Sequence, residues 1–450
     1  MKKNIKLCND VVAEDKKVVS KASRMYYYPL VIKKGNGALI EDIDGNEYID
    51  LLSSAAALNT GHSHPRIVKA IKEQADSFIH YTTGYTYNEF QVQLATRLAE
   101  ITPGSFRKKV LFGLSGSDAN DGAIKLARAY SGKTNIISFV GSYHGSTYGS
   151  LSLSAISINM RRKIGPFLPG IHHMPYPYCR RCVFGKNEES CSLECLDSIK
   201  RAFNSYLPAD DVAGVIIEPI AGDFGLIVPP RKYMEELYKM CRDKGILFIS
   251  EEVQQGFGRT GKWFAIENFN ITPDIIVMGK SIAAGMPLSA LVAREEIMDS
   301  LQSPAHAFTM EGNPICCRAA IENIEVIKDE HLMEKAVKLG DHVIRRFKEM
   351  AEKYEIIGDV RGIGLSIGVE LVKNKETNEK HREAAVKICY RCYEKGVILI
   401  FIADSVLRIQ PPLVITKEQL DKAIDTIDES IREYINGEIP DDVLKAVQGW

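Results

Sequence analysis

Two short apolar stretches of this 450-residue sequence end in charged residues that a buried core does not require. The run ILFIS leads into Glu251 and Glu252, and the run IIVMG leads into Lys280. Such endings are typical of α/β enzymes, in which buried strands deliver reactive side chains to one edge of the sheet. A lone lysine at this place is more often a surface residue that extends into water. Because the carboxylates, the glycines around Phe257 and Lys280 occur together, we favour a catalytic lysine.

A second stretch, KKVLFGLSGSDANDGAIKLARAY, has the pattern of a strand, a Ser-Gly-Ser turn and a helix. The N-terminus of a helix offers backbone N–H groups and the positive end of the helix dipole to an anion. Ser115, Gly116 and Ser117 are therefore candidates for binding a phosphate, although a serine before a helix is also an ordinary N-cap. The spacing matches neither GxxxxGK(S/T) nor GxGxxG, so a single phosphate is the better interpretation.

Two further apolar runs end in polar residues. NIISFV is followed by GSYHG, which contains Tyr143, and VAGVIIEP ends at Glu218, with Asp223 in the loop that follows. An aromatic ring beside glycines at the end of a strand can lie flat against a planar ligand. The alternation of these runs with helical patterns predicts an α/β fold with a mostly parallel sheet covered by helices.

The chain is long enough for two domains. The alternating pattern places a large domain at residues 61–318. The pattern then changes, which predicts a smaller α+β domain at residues 319–450. The N-terminal segment, residues 1–60, contains two turn signals flanked by β-rich alternation, and we expect this antiparallel meander to pack with the smaller domain.

Composition excludes several classes of function. The chain is 45% hydrophobic and carries a net charge of −1, so it lacks the charge footprint of a nucleic-acid-binding or anionic-membrane-binding protein. No apolar run approaches the length of a membrane span, and the N-terminal lysines are not followed by the apolar core of a secretory signal. We therefore expect a cytoplasmic protein that acts on small molecules.

Four of the ten cysteines are clustered in sequence. Cys179 and Cys182 form a CxxC pair, and Cys191 and Cys195 form a CxxxC pair, all within an irregular polar insertion. Such spacing can hold a structural zinc ion or form disulfides. In a reducing compartment cysteines are more often small buried apolar residues, and both interpretations stay open. We predict no catalytic metal.

A lysine amine, a buried carboxylate, a stacking aromatic ring and a site for one phosphate together indicate pyridoxal 5′-phosphate (PLP) as the cofactor. In such a site the lysine forms the Schiff base with the cofactor. The carboxylate pairs with the protonated ring nitrogen, and the ring accepts electrons from Cα of the substrate.

The motifs EEVQQGFGRTGKWFA, PDIIVMGKSIAAGMPLSA, SGSDANDGAIKLARAY, VIIEPIAGD and VLRIQPPL resemble those of the class III (ω-) aminotransferases of PLP fold type I. The resemblance extends over nearly the whole chain. It implies a role for each matching residue: Schiff-base formation by Lys280, ring stacking by Tyr143, phosphate binding by Gly116 and Ser117, ring contacts by Val253 and Gln254, a contact from Thr309 to the phosphate of the other subunit, and binding of the substrate α-carboxylate by Arg408. It thus implies a homodimer or a dimer of dimers with active sites at the subunit interface.

Two positions depart from the usual pattern of this family. Glu251 stands where most members have Asp, so we expect the cofactor ring to lie further away or the strand to shift. Asp223 stands where many aminotransferases have a Glu that pairs with the α-carboxylate arginine. The stretches GSYHGSTYGS, NMRRKIGPFLP and LRIQPPLVI are most similar to the branch of isoleucine 2-epimerase and broad amino-acid racemases.

This resemblance predicts a PLP-dependent racemase or epimerase that inverts the α-carbon of free amino acids, with Lys280 and Asp223 as the two bases. Asp223 could instead be an ordinary hydrogen-bonding loop residue, with His144 or Tyr143 supplying the second proton. The stretch HYTTGYTY lacks a clear charge partner and favours neutral, apolar substrates. The alternatives are a class III aminotransferase acting on 4-aminobutyrate, ornithine or a similar donor, and a non-catalytic binding protein on an enzyme fold.

Overall fold

The computed structural model describes residues 3–187 and 189–449. The chain divides into two compact units, one comprising residues up to Pro65 together with those from His331, and the other Arg66–Glu330. The strands of the described residues are β1 Ile32–Asn36, β2 Leu39–Asp42, β3 Glu47–Asp50, β4 Lys108–Gly113, β5 Asn135–Phe139, β6 Ile171–Met174, β7 Val212–Ile217, β8 Leu247–Glu251, β9 Ile275–Met278, β10 Ser289–Arg294, β11 Ile357–Ile363, β12 Ser366–Leu371, β13 Val397–Ile398, β14 Ile400–Ile402 and β15 Val406–Ile409. The α-helices are α1 Lys6–Val18, α2 Ser53–Ala56, α3 Pro65–Ser77, α4 Glu89–Ile101, α5 Gly116–Ser131, α6 Tyr148–Leu153, α7 Glu194–Phe203, α8 Arg231–Lys244, α9 Glu295–Met298, α10 Pro314–Asp329, α11 Leu332–Lys353, α12 Arg382–Glu394, α13 Lys417–Ile435 and α14 Val443–Ala446.

The unit formed by residues 66–330 contains a seven-stranded sheet in the order β4-β10-β9-β8-β7-β5-β6. Strand β10 runs antiparallel to both of its neighbours, whereas β9, β8, β7, β5 and β6 pair in parallel. The apolar runs seen in the sequence are buried because helices cover the sheet, and α5 packs Ala123 and Ala127 against Ile216, Ile249 and Val277. The predicted α/β fold with a mostly parallel sheet is confirmed.

The other unit is of mixed α and β structure. Its N-terminal part is the antiparallel meander β1-β2-β3 that the turn signals predicted, extended by β13, which pairs in parallel with β3. A second sheet has the order β11-β12-β15-β14 and is antiparallel throughout. Tyr28, Tyr48 and Tyr393 stack in the core beside the meander, with ring centroids 4.8 and 5.5 Å apart along the stack.

The cysteines of the polar insertion are thiols in this structure. Residues 3–187 and 189–449 contain no disulfide. The ligand atoms of Cys179, Cys182, Cys191 and Cys195 do not form a compact metal-binding group within those residues. Burial, with smaller contributions from Cys191 and Cys179, raises the pKa of the Cys195 thiol to about 12. Over the same described ranges, no helix is both long and apolar enough to cross a membrane.

Candidate active site

A pocket lies at the carboxyl ends of the central parallel strands, beside the N-terminus of α5. Open α/β sheets bind their ligands at this edge, because the loops that follow neighbouring strands meet there. Ten residues line the pocket: Gly116, Ser117, Tyr143, His144, Gly145, Glu218, Glu251, Val253, Gln254 and Lys280. Seven of them are residues that the sequence predicted for the site.

Helix α5 presents its N-terminus to this pocket. Ser115 is the N-cap, and its hydroxyl accepts a hydrogen bond from the Asp118 N–H at 3.4 Å within a capping box. A Cβ at Gly116 would lie 2.7 Å from Val253 Cγ1, so only glycine lets the helix approach that closely. Gly116 and Ser117 line the pocket, whereas Ser115 is used as a cap and is not among the lining residues.

The loop after β5 closes over the first turn of α5. The Ser146 N–H donates to Ser117 Oγ at 3.1 Å. The preceding residue, Gly145, has a φ of +134°, and a Cβ there would lie 2.3 Å from Ser117 Oγ and 2.7 Å from Ser117 Cα. A side chain at this position would therefore meet both strained backbone and a clash. The result is a concave surface lined by backbone and hydroxyl groups, which suits a phosphate.

Three titratable side chains are buried together at the floor of the pocket. Ligand atoms of His144, Glu218 and Glu251 lie within 4.8 Å of one another. Burial raises the pKa of Glu251 well above its usual value, and the nearby Glu218 raises it further while Lys280 lowers it. Burial lowers the pKa of His144 to about 3, and neither of its ring nitrogens has a hydrogen-bond partner in the described structure. The histidine is therefore neutral at physiological pH.

Glu251 occupies the last position of β8 without disturbing the strand. Ile249, Ser250 and Glu251 pair in register with Ile275, Ile276 and Val277 of β9, with no bulge. The pairing of β8 with β9 is therefore regular up to Glu251.

Glu218 lies directly after β7 and is 5% exposed. Its Oε1 accepts a hydrogen bond from the Tyr143 N–H at 3.0 Å, and its Oε2 accepts one from the Gly222 N–H at 2.9 Å. Asp223, which follows Gly222, is also buried, and its Oδ2 accepts a 3.5 Å hydrogen bond from Gln254 Nε2. Asp223 is thus placed beside a residue that lines the pocket.

Lys280 follows β9 and begins a 3₁₀ turn, Lys280–Ala283. Its φ of +46° is unusual for a residue with a side chain, and such strain is concentrated at functional sites. The turn is held by Asn323, whose Nδ2 donates to the carbonyl of Ser281 at 2.8 Å. The positive charge of Lys280 acts on both Glu218 and Glu251, whose pKa values it lowers against the larger opposing effect of burial.

Two predicted residues, Thr309 and Arg408, are not among the residues that line this pocket. Thr309 lines a separate cavity of about 520 Å³ together with Tyr85 and His306, and its carbonyl accepts a hydrogen bond from His80 Nε2 at 2.8 Å. Arg408 belongs to β15 of the other unit, where it is 1% exposed and its Nε donates to Gln410 Oε1.

Three lining residues were not predicted to bind the cofactor: His144, Gly145 and Glu218. Glu218 could have been selected because it ends a buried apolar run, as Glu251 does. Gly145 carries no such signal, since its requirement for glycine arises from a contact with α5.

The model of the family "Aminotransferase class-III" matches residues 19–431 of this chain. The chain belongs to that family. The isoleucine 2-epimerase of Lentilactobacillus buchneri is 49% identical over 443 residues, covering 98% of each chain. The leucine/methionine racemase of Thermococcus litoralis is 47% identical over 441 residues, covering 98% of this chain and 99% of the relative. These matches confirm the predicted class III family and its epimerase and racemase branch.

The solved structures give the same fold. An amine transaminase from an uncultivated Pseudomonas species, in its PLP-bound form, superimposes with a TM-score of 0.84 at 29% identity, covering 90% of this chain and 95% of that chain. The fold type and the cofactor, PLP, are thereby confirmed. The pocket of this class III aminotransferase-family member fits the group: it offers an anion site at α5, a lysine amine, and two carboxylates whose pKa values are raised by burial.

Proposed function

We propose that this chain is a PLP-dependent racemase or epimerase that inverts the α-carbon of free, neutral amino acids. The observation that carries the proposal is the similarity over nearly the full length to an epimerase and a racemase, at 49% and 47% identity. The position of Asp223 supports it, because this buried carboxylate contacts Gln254, which lines the same pocket as Lys280.

Each lining residue has a proposed role in holding the cofactor. The N-terminus of α5, with Gly116 and Ser117, would bind the phosphate, and Tyr143 would stack on the ring. Val253 and Gln254 would contact the ring and its 3′-oxygen. Glu251 would hold the ring nitrogen in its protonated form, which also relieves the cost of a buried carboxylate.

The reaction requires two groups that exchange a proton with Cα on opposite faces. When bound, PLP withdraws electrons from Cα and makes its hydrogen acidic. Lys280 removes or returns the proton on one face, and Asp223 does so on the other. Arg408 would bind the α-carboxylate through its bidentate guanidinium and hold Cα in place.

The test is an incubation of the holoenzyme with one L-amino acid, such as L-leucine or L-isoleucine, without any keto acid. Chiral chromatography should then detect D-leucine or D-allo-isoleucine. Turnover that depends strictly on a keto acid would contradict the proposal and establish the aminotransferase activity for which the family is named. A lack of visible absorbance after addition of PLP would instead indicate a non-catalytic protein.

We also propose that the chain forms a homodimer or a dimer of dimers in which Thr309 contacts the phosphate bound by the other subunit of a dimer. Tyr81, Tyr85 and Tyr87 are 63, 86 and 101% exposed in the single chain, an unusual exposure for three neighbouring tyrosines. Burial of these side chains against a second copy would remove apolar surface from water. Light scattering during size-exclusion chromatography should give two or four times the chain mass, and a monomer would contradict the proposal.

A further inference from the structure

The carboxylate of Glu218 joins two loops that carry proposed functional residues. Its Oε1 accepts from the Tyr143 N–H in the loop after β5, and its Oε2 accepts from the Gly222 N–H in the loop after β7. Gly222 immediately precedes Asp223. The two distances, 3.0 and 2.9 Å, are those of well-formed hydrogen bonds, so both oxygens are used.

The surroundings give this carboxylate little freedom. Glu218 is 5% exposed, and the hydroxyl of Tyr176 donates to its backbone carbonyl at 2.9 Å. A Cβ at Gly222 would lie 2.2 Å from Gln254 Oε1, so the backbone bonded to Glu218 is pressed against a lining residue of the pocket. Asp223 contacts the same glutamine through its carboxylate. A displacement of Gly222 is therefore transmitted directly to Asp223.

We propose that Glu218 is a positioning residue that fixes Asp223 relative to Tyr143, so that it controls the return of the proton on one face of the substrate. This inference rests on the proposed racemase function and deepens it. Glu218 acts as a strap between the loop after β5 and the loop after β7. It holds the two loops together only while each of its oxygens accepts its hydrogen bond. Loss of either hydrogen bond breaks the connection between the loop that contains Asp223 and the loop that contains Tyr143.

Glu218→Gln is the variant that tests the strap. A carboxamide has one oxygen acceptor, so one of the two N–H groups must face an NH₂ group that cannot accept. A misplacement of about 1 Å at a reacting group can reduce a rate by about 100-fold. We expect inversion to fall by about 10- to 100-fold.

The experiment uses the holoenzyme in D₂O with each enantiomer of one substrate, and measures both inversion and exchange of the Cα hydrogen. In Glu218→Gln, the enantiomer deprotonated by Lys280 should continue to exchange while its inversion falls. The opposite enantiomer should lose both processes, because Asp223 must remove its proton. The ratio of exchange to inversion should therefore rise about 10-fold or more for one enantiomer only.

Glu252→Gln is the matched control. Glu252 is also buried, and it accepts hydrogen bonds from the Ala265 and Ile266 N–H groups at 2.9 and 2.8 Å. It does not line the pocket. The control should lose stability as Glu218→Gln does, with an unchanged ratio of exchange to inversion. Glu218→Asp, whose shorter side chain cannot span both amides, provides a second test if the glutamine variant does not fold.

Equal losses of exchange and inversion in both enantiomers would overturn the role of Glu218, since they indicate a general structural defect. A wild-type enzyme that exchanges but never inverts would reject the racemase function itself. The two failures are therefore distinguishable within one set of measurements.

Discussion

Glu252 should make the stability of the cofactor-free protein depend on pH. It is fully buried directly after β8, where it accepts hydrogen bonds from two backbone amides and from Ser250 Oγ at 3.1 Å. Burial, which disfavours the charged carboxylate, raises its pKa from 4.5 to about 7, and the hydrogen bonds oppose part of this rise.

The magnitude follows from the difference between the two pKa values. A tenfold change in a protonation equilibrium corresponds to about 1.4 kcal/mol, so a pKa that moves from 4.5 to about 7 corresponds to about 3 kcal/mol. Between pH 4.5 and 7 the folded protein holds a proton on Glu252 that the unfolded chain has released. Because the folded state then binds more protons, the free energy of unfolding falls as the pH rises through this window.

Glu252→Gln removes the titration and isolates this contribution. The variant loses one N–H acceptor, an effect of about 1–3 kcal/mol that does not depend on pH. Urea unfolding of both cofactor-free proteins at about pH 5 and about pH 8, which span most of the window, measures the difference. The stability advantage of the wild type should shrink by about 2–3 kcal/mol between these values. A change of less than about 1 kcal/mol would refute the buried, titrating carboxylate.

The remaining predictions concern the pocket. Lys280→Ala should lower the racemisation rate by at least about 1000-fold, because it removes both the covalent anchor and one base; a fall of less than about 10-fold would contradict its role. Asp223→Asn should abolish inversion while the visible absorbance of bound PLP persists, and unchanged inversion would remove Asp223 from the mechanism. Gly145→Ala should weaken PLP binding by about 10-fold or more, measured by absorbance titration, since its Cβ would lie 2.3 Å from Ser117 Oγ. Gly132→Ala is the control, because its φ of +69° is also strained but nothing lies within 4 Å of its Cβ, and PLP affinity should not change. Equal affinities in these two glycine variants would contradict the phosphate site.

Much of the fold and of the pocket could be predicted from the sequence. The apolar runs before Glu218, Glu251 and Lys280 are long enough and regular enough to specify buried parallel strands. A charged side chain at the end of such a run can be recognised from the local sequence alone. The motifs around Lys280 also identified the family, since they are long and ordered.

The detailed use of each side chain depended on contacts that no local pattern contains. Ser115 and Gly116 are adjacent in sequence, yet one caps α5 and the other faces the pocket, because the direction of each group follows from the helix geometry. His144 has a backbone carbonyl that accepts a hydrogen bond from Asn120 at 2.7 Å and a ring without a hydrogen-bond partner among the described residues. The surroundings of His144 are formed by several elements that are distant in sequence.

The sequence by itself determined that this is an α/β protein with carboxylates at its strand ends, because strand burial follows from residue order and periodicity. It also predicted a reactive lysine and a phosphate site at a helix N-terminus. The tertiary structure alone decided that β5, β7 and β8 are neighbours in the sheet, which depends on long-range pairing. That order brings the Tyr143 loop and the Asp223 loop to the two oxygens of Glu218. It also buries Glu218 beside Glu251, and the charge of Glu218 raises the pKa of Glu251. The two residues are far apart in sequence, so this proximity could not be predicted from the sequence.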